Sequence, residues 1–182
     1  NATDRLGYII KDVDLITEFE TGVTNLKIEK FDLCKLIRDL VDSFEIKMKE
    51  KGIEITYEFA NNKSIFVNAD NFRITQVMSN LIVNSLNYGV ENGTIEIITK
   101  NLDKEKLLVR IIDNGQGIPE DDLPRIFERF YRVDKTRNRQ EGGSGLGLAI
   151  VKHIVEAHNE IVYVESTLNV GSEFSFTLTK SN

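Results

Sequence analysis

The apolar positions of this chain follow two periods, and the periods alternate along it. Leu6, Ile9, Ile10, Val13, Ile16 and Phe19 recur at three and four, which predicts an amphipathic helix from residue 3 to about 24, with Gly22 as its stop. Such a helix must bury its stripe on the domain behind it or on a partner helix. Leu26 to Phe31 alternates as a short strand. Asp32 then caps a helix with the stripe Leu33, Leu36, Ile37, Leu40, Val41, Phe44 and Met48, running to about Lys51 before Gly52. Ile53 to Phe59 reads as a strand with one solvated face, and Ile65 to Val67 as a short strand. Asp70 opens a helix with core positions Ile74, Val77, Met78, Leu81, Ile82 and Leu86. Thr94 to Thr99 and Lys106 to Ile112 form a hairpin, and Glu120 to Leu123 a short helix behind Pro119. A helix with Leu146, Ile150, Ile154 and Ala157 on one face follows, then strands Ile161 to Ser166 and Gly171 to Leu178.

Polar residues break this pattern in three places. Gln76, Asn80, Asn84 and Asn87, spaced four, four and three, line one face of the helix behind Asp70. Asn is a poor helix former, so a stripe of uncharged amides is costly without a use. Amide oxygens ligate Mg²⁺, and amide NH₂ groups donate to phosphate. The strand Leu107 to Ile112 ends in Asp113-Asn114-Gly115-Gln116-Gly117-Ile118-Pro119, which predicts a carboxylate at the edge of the sheet facing a cavity. There it can accept a hydrogen bond from an amine such as that of adenine. From 125 to 145, Arg125, Arg129, Arg132, Lys135, Arg137 and Arg139 meet only Glu128, Asp134 and Glu141. Phe127, Phe130 and Tyr131 are its large anchors, and Asp134 to Ser144 reads as a basic lid suited to a polyphosphate.

Gly142-Gly143-Ser144-Gly145-Leu146-Gly147-Leu148 leads into the last helix, where exposed backbone N–H groups favour phosphate. It is neither a P-loop nor a dinucleotide fingerprint, because no Gly-Lys-Ser/Thr follows and no strand immediately precedes it. His153 and His158, five apart, do not share a face and read as structural. A net charge of −6 disfavours nucleic acid as a partner, so any anion site must be local. The single cysteine, Cys34, excludes an internal disulfide and fits a reducing compartment. No apolar run is long enough to span a bilayer. The chain begins Asn1-Ala2 and reads as a piece of something longer, a membrane protein shorn of its spans.

Four motifs stand in order. Asn80-Leu-Ile-Val-Asn84-Ser-Leu-Asn87-Tyr88 resembles an N box, and Asp113-Asn-Gly115-Gln-Gly117 a first glycine box. Ile126-Phe127-Glu-Arg-Phe130-Tyr-Arg132 resembles an F box, and Gly143-Ser144-Gly145-Leu146-Gly147-Leu148 a second glycine box. Together they resemble the catalytic and ATP-binding domain of bacterial sensor histidine kinases, relatives of the gyrase, Hsp90 and MutL ATPases. The resemblance covers roughly residues 30 to 180. It implies an α/β fold, a two-layer sandwich of a mixed sheet and helices (the Bergerat fold). It also implies two parts: residues 1–25, the second helix of a dimerisation and phosphoacceptor hairpin, and residues 26–182, the ATP-binding domain.

The same resemblance implies the site. Asp113 receives the adenine amine, and Gly115 and Gly117 let the backbone approach the base, beside Ile118, Tyr88 and Phe130. Asn84, with Asn80, holds Mg²⁺ and phosphate oxygens. Lys135 and Arg137, with Gly143, Ser144, Gly145, Leu146, Gly147 and Leu148, take the phosphates. Gln76, Asn80 and Lys135 assist the reaction. Asn87 stands where a basic residue is common, and His158-Asn159-Glu160 replaces a His-Gly-Gly turn, a change of little chemical weight. The expected partners are ATP, an acceptor histidine helix and a response-regulator receiver domain, in a full-length homodimer whose cytoplasmic domain this is, below an inner membrane. The His box is not in the sequence, so the chain alone is expected to bind ATP without autophosphorylating. A degenerate nucleotide-binding regulatory module and an ATP-driven clamp are the competing readings.

Overall fold

The computed structural model describes residues 25–60, 64–133 and 144–181. The helix expected from residue 3 to 24, and Lys135, Arg137 and Gly143, lie outside them. Along the chain run β1 (Ile28–Asp32), α1 (Leu33–Ser43), α2 (Glu45–Lys51), β2 (Glu54–Glu58), β3 (Phe66–Asp70) and α3 (Asn71–Tyr88). They are followed by β4 (Thr94–Asn101), β5 (Lys106–Asp113), a 3₁₀ turn (Glu120–Arg125), α4 (Gly147–Ala157), β6 (Val162–Thr167) and β7 (Gly171–Thr179).

A five-stranded sheet has the order β2-β4-β5-β7-β6. Only β2 and β4 run parallel, and α3 lies in the crossover that such a pairing requires. One face of the sheet carries Ile95, Ile97, Val109, Ile111, Phe174 and Phe176, all buried against helices. From α3 come Ile74, Val77, Met78, Leu81 and Ile82, as expected; from α4 come the expected Ile150 and Ile154, joined by Val151 and Val155, while Ala157 is only half-buried. This is the two-layer mixed-sheet sandwich implied by the sequence motifs. A second sheet pairs β1 with β3.

Asp32 and Asp70 both act as helix caps. Asp32 accepts from the N–H of Cys34, and Asp70 Oδ1 from the N–H of Arg73 at 3.1 Å. Asp70 does more. Its Oδ2 accepts the Lys27 N–H at 2.8 Å, and its own N–H goes to His158 Nε2 at 3.0 Å. His158 Nδ1 lies 2.7 Å from the Ile154 carbonyl, which sets the Nδ1–H tautomer and makes this histidine structural, as expected.

Two expectations change. The single helix over 32–51 is broken at Phe44, whose N–H turns to the Val41 carbonyl at 2.9 Å while its ring stays buried. Beyond that break α2 buries no residue fully, and Ile46 is exposed, so core contact no longer enforces one straight helix. The turn at 158–160 also carries more weight than its sequence suggests. Asn159 takes a left-handed conformation, and Glu160 is buried. Glu160 Oε1 accepts from Lys106 Nζ at 2.6 Å and Thr179 Oγ1 at 2.7 Å, and its Oε2 from Thr177 Oγ1 at 2.6 Å. Burial raises the Glu160 pKa, but Lys106 and the two threonines together hold it below the ordinary carboxylate value.

Candidate functional site: a buried aspartate beside an amide stripe

Asp113 is the last residue of β5, the middle strand, so the carboxylate stands where that strand leaves the sheet, as expected. Strand alternation turns Leu107, Val109, Ile111 and Asp113 toward the helices, so the carboxylate enters the helix side of the sandwich. Its Oδ2 accepts from Ser85 Oγ at 2.9 Å and its Oδ1 from the Gly115 N–H at 3.0 Å. Burial drives the Asp113 pKa up; the Gly115 N–H, the Ser85 hydroxyl and the Ser172 N–H work against it. Ser85 is fully buried on α3 and was not read as a site residue. The available signal was a hydroxyl in the core stripe, four residues after Leu81.

The first glycine box is fastened on both sides. The Tyr88 carbonyl at the end of α3 accepts from the Gln116 N–H at 3.2 Å and from Gln116 Nε2 at 3.3 Å. The β6–β7 turn accepts the Ile118 N–H on Ser166 Oγ at 2.8 Å and gives the Asn169 N–H to the Gln116 carbonyl at 2.7 Å. A methyl at Gly117, where φ is +68°, would sit 2.1 Å from the Thr167 carbonyl oxygen. The requirement for glycine there is therefore met by the protein's own chain, whereas the motif suggested approach to a base. Ile118 and Tyr88 are both half-buried beside this loop.

Gln76, Asn80 and Asn84 are half-buried along α3, and Asn87 is exposed. The N-terminus of α4 abuts this stripe: a methyl at Gly147 would lie 3.3 Å from Asn80 Oδ1. Among the described residues no side chain caps α4, whose first residue lies beside the Asn80 amide. Leu146 is fully buried and acts as a core residue; its N–H goes to Ser144 Oγ at 3.3 Å and its carbonyl accepts the Ile150 N–H at 2.9 Å. Ser144 and Leu148 are half-buried. The F-box turn meets the second glycine box through the Phe130 N–H and the Gly145 carbonyl, 2.9 Å apart.

Of the three expected anchors of the F-box turn, Phe127 and Tyr131 are held and Phe130 is not. Ile126 is buried and Phe127 packs edge-on against Phe174, 6.4 Å between centroids. The Phe130 side chain is 66% exposed and outside the buried core. Tyr131 donates to Asp122, and Arg125 lies 4.3 Å over its ring. Arg132 Nε is buried without an acceptor among the described residues. An unmatched guanidinium donor suits an anionic ligand, which singles Arg132 out from the rest of the basic island. His153, on α4, has its pKa lowered by burial, with Arg129 and Arg73 adding to the effect and Glu156 opposing it. A groove of about 340 Å³ lies at the other face of the sheet, lined by Glu96, Glu165 and Glu173, a charge that repels phosphate.

A buried aspartate, an amide stripe and an uncapped helix start, in this order on a mixed sheet, can be compared with known proteins. Residues 69–182 match the family described as histidine kinase-, DNA gyrase B- and HSP90-like ATPase. The chain belongs to this family. Within it, the sensor histidine kinase WalK of Bacillus subtilis (strain 168) is 35% identical over 179 residues, 98% of this chain and 29% of WalK. The chain thus spans under a third of that relative's length. The catalytic domain of histidine kinase ThkA superposes with a TM-score of 0.73 at 31% identity, covering 85% of this chain and 96% of that one. ThkA in complex with the response regulator protein TrrA gives a TM-score of 0.77 at 29% identity, covering 98% of this chain and 49% of that one. Full-length ShkA in complex with AMPPNP gives 0.87 at 27%, covering 99% and 37%. The fold and the sequence together make this a histidine kinase catalytic and ATP-binding domain.

Among the described residues no group of three or more His, Cys, Asp or Glu could hold a metal ion, and no helix is long and apolar enough to cross a membrane.

Proposed function

We propose that this domain binds Mg·ATP between α3, α4 and the first glycine box and supplies the γ-phosphoryl group to a histidine on a separate helix. The observation that carries this reading is Asp113, a carboxylate kept ionisable in a buried place by Ser85 and two backbone N–H groups. Such a group accepts a hydrogen bond from the adenine amine. Asn80 and Asn84 then serve the phosphates, together with the α4 N-terminus, the Gly145–Leu148 backbone and Arg132; the sequence motif assigns Lys135 and Arg137 to the same task. Mg²⁺ keeps most of its waters and needs few protein oxygens, so one amide, that of Asn84, with phosphate oxygens fits it better than a carboxylate cage. Bound there, the ion neutralises phosphate charge.

The protein's part in transfer is positioning and charge compensation. Gln76, one turn before Asn80, is placed to orient the incoming imidazole. Neither His153 nor His158 serves as acceptor: the first is half-buried on α4 and the second is held by Asp70 and Ile154. Transfer onward to a response-regulator aspartate, homodimerisation through the preceding helices and a place on the cytoplasmic side of a membrane complete the proposal. Calorimetric titration with a non-hydrolysable ATP analogue and Mg²⁺ tests it, with Asp113→Ala as control. Binding that disappears in the variant supports the reading. Equal binding by both proteins overturns the assignment of Asp113. Addition of an acceptor-histidine hairpin and γ-labelled ATP then tests transfer, and no label on the hairpin would refute it.

A further inference from the structure

Ser85 is an anomaly on α3. Its neighbours in the stripe, Met78, Leu81, Ile82 and Leu86, are apolar, and it is as buried as they are. A buried hydroxyl costs stability unless it is bonded. Facing a carboxylate oxygen at 2.9 Å, it can only donate. The groups acting on Asp113 are this hydroxyl from α3, the Gly115 N–H from its own loop and the Ser172 N–H from β7, with no charged side chain among them. The two N–H groups belong to the backbone and come with the fold. Ser85 is the side chain that sequence can change.

We propose that Ser85 is a positioning residue for purine choice: by donating to Asp113 Oδ2 it keeps the carboxylate an acceptor, selecting the exocyclic amine of adenine against the carbonyl of guanine. This deepens the reading of Asp113 as the adenine partner and rests on it. An ionised carboxylate has only acceptor oxygens. It bonds the adenine amine and repels the guanine carbonyl at the same place. A protonated carboxyl has one donor, which the guanine carbonyl accepts. Burial favours the protonated form, and Ser85 opposes it.

The test is the ratio of affinities for non-hydrolysable ATP and GTP analogues, from about pH 5 to about pH 8, the span between ordinary carboxylate titration and neutrality. In Ser85→Ala the preference for adenine falls about tenfold at the acid end, the factor sustained by one hydrogen bond to an ionised group, and recovers as pH rises. Ser85→Cys keeps the volume with a weaker donor and gives an intermediate ratio; it carries the test if the alanine variant does not fold. A folded variant with the wild-type ratio at every pH overturns the proposal. So does one that loses both nucleotides equally, which is the result of a purely structural role. If the wild-type chain binds neither analogue, the reading of Asp113 fails instead.

Discussion

Replacing Lys106 with Met keeps the aliphatic stem and removes the cation from Glu160. The Glu160 side chain is 3% exposed and that of Lys106 35%. Removing one partner of a fully buried pair costs about 3–5 kcal/mol, and an exposed pair contributes less than about 1 kcal/mol. Here one charge is sealed and the other a third open, and Thr177 and Thr179 continue to donate. The expected loss at neutral pH is about 2 kcal/mol. The pH dependence has a definite sign. Glu160 is held below its ordinary 4.5 in the folded state. Its stabilisation is therefore complete above that value and is lost as pH falls through the lower folded one. Urea unfolding of wild type and Lys106→Met at neutral and acid pH measures both effects. A difference under about 0.5 kcal/mol at neutral pH, the size of an ordinary surface change, would refute the network as a stabiliser. A difference that stays constant into acid would refute the role of ionised Glu160.

Asp113→Asn should lose at least about tenfold in ATP affinity by calorimetry, since the amide keeps one acceptor oxygen for Ser85, the Gly115 N–H and the adenine amine together. Gly117→Ala should cost about 3 kcal/mol in chemical denaturation. A left-handed alanine accounts for about 1–2 kcal/mol, and parting the loop from the β6–β7 turn for the rest. Arg132→Gln should weaken ATP binding about tenfold and leave adenosine binding unchanged, as measured by competition, if its Nε meets phosphate.

Local periodicity made most elements readable. The amide stripe on α3 stood out because Asn is out of place on a solvated helix, and Asp113 because it ended an apolar strand. What escaped were the consequences of pairings distant in sequence. Ser85 meets Asp113 across 28 residues and Thr177 meets Glu160 across 17, and no window of sequence shows either. The same holds for β7 lying between β5 and β6. The break at Phe44 escaped because the apolar spacing continues through it; only the loss of core beneath α2 shows that the helix need not. Phe130 has the size of an anchor, but size does not decide burial.

The bond between Asp70 and Lys27 is made by the backbone N–H of residue 27. The side chain there takes no part in it. Any amino acid except proline offers the same donor, so the attachment is indifferent to sequence. The domain can thus be joined behind different upstream segments without redesigning the junction, a modular coupling whose one forbidden letter is proline at position 27.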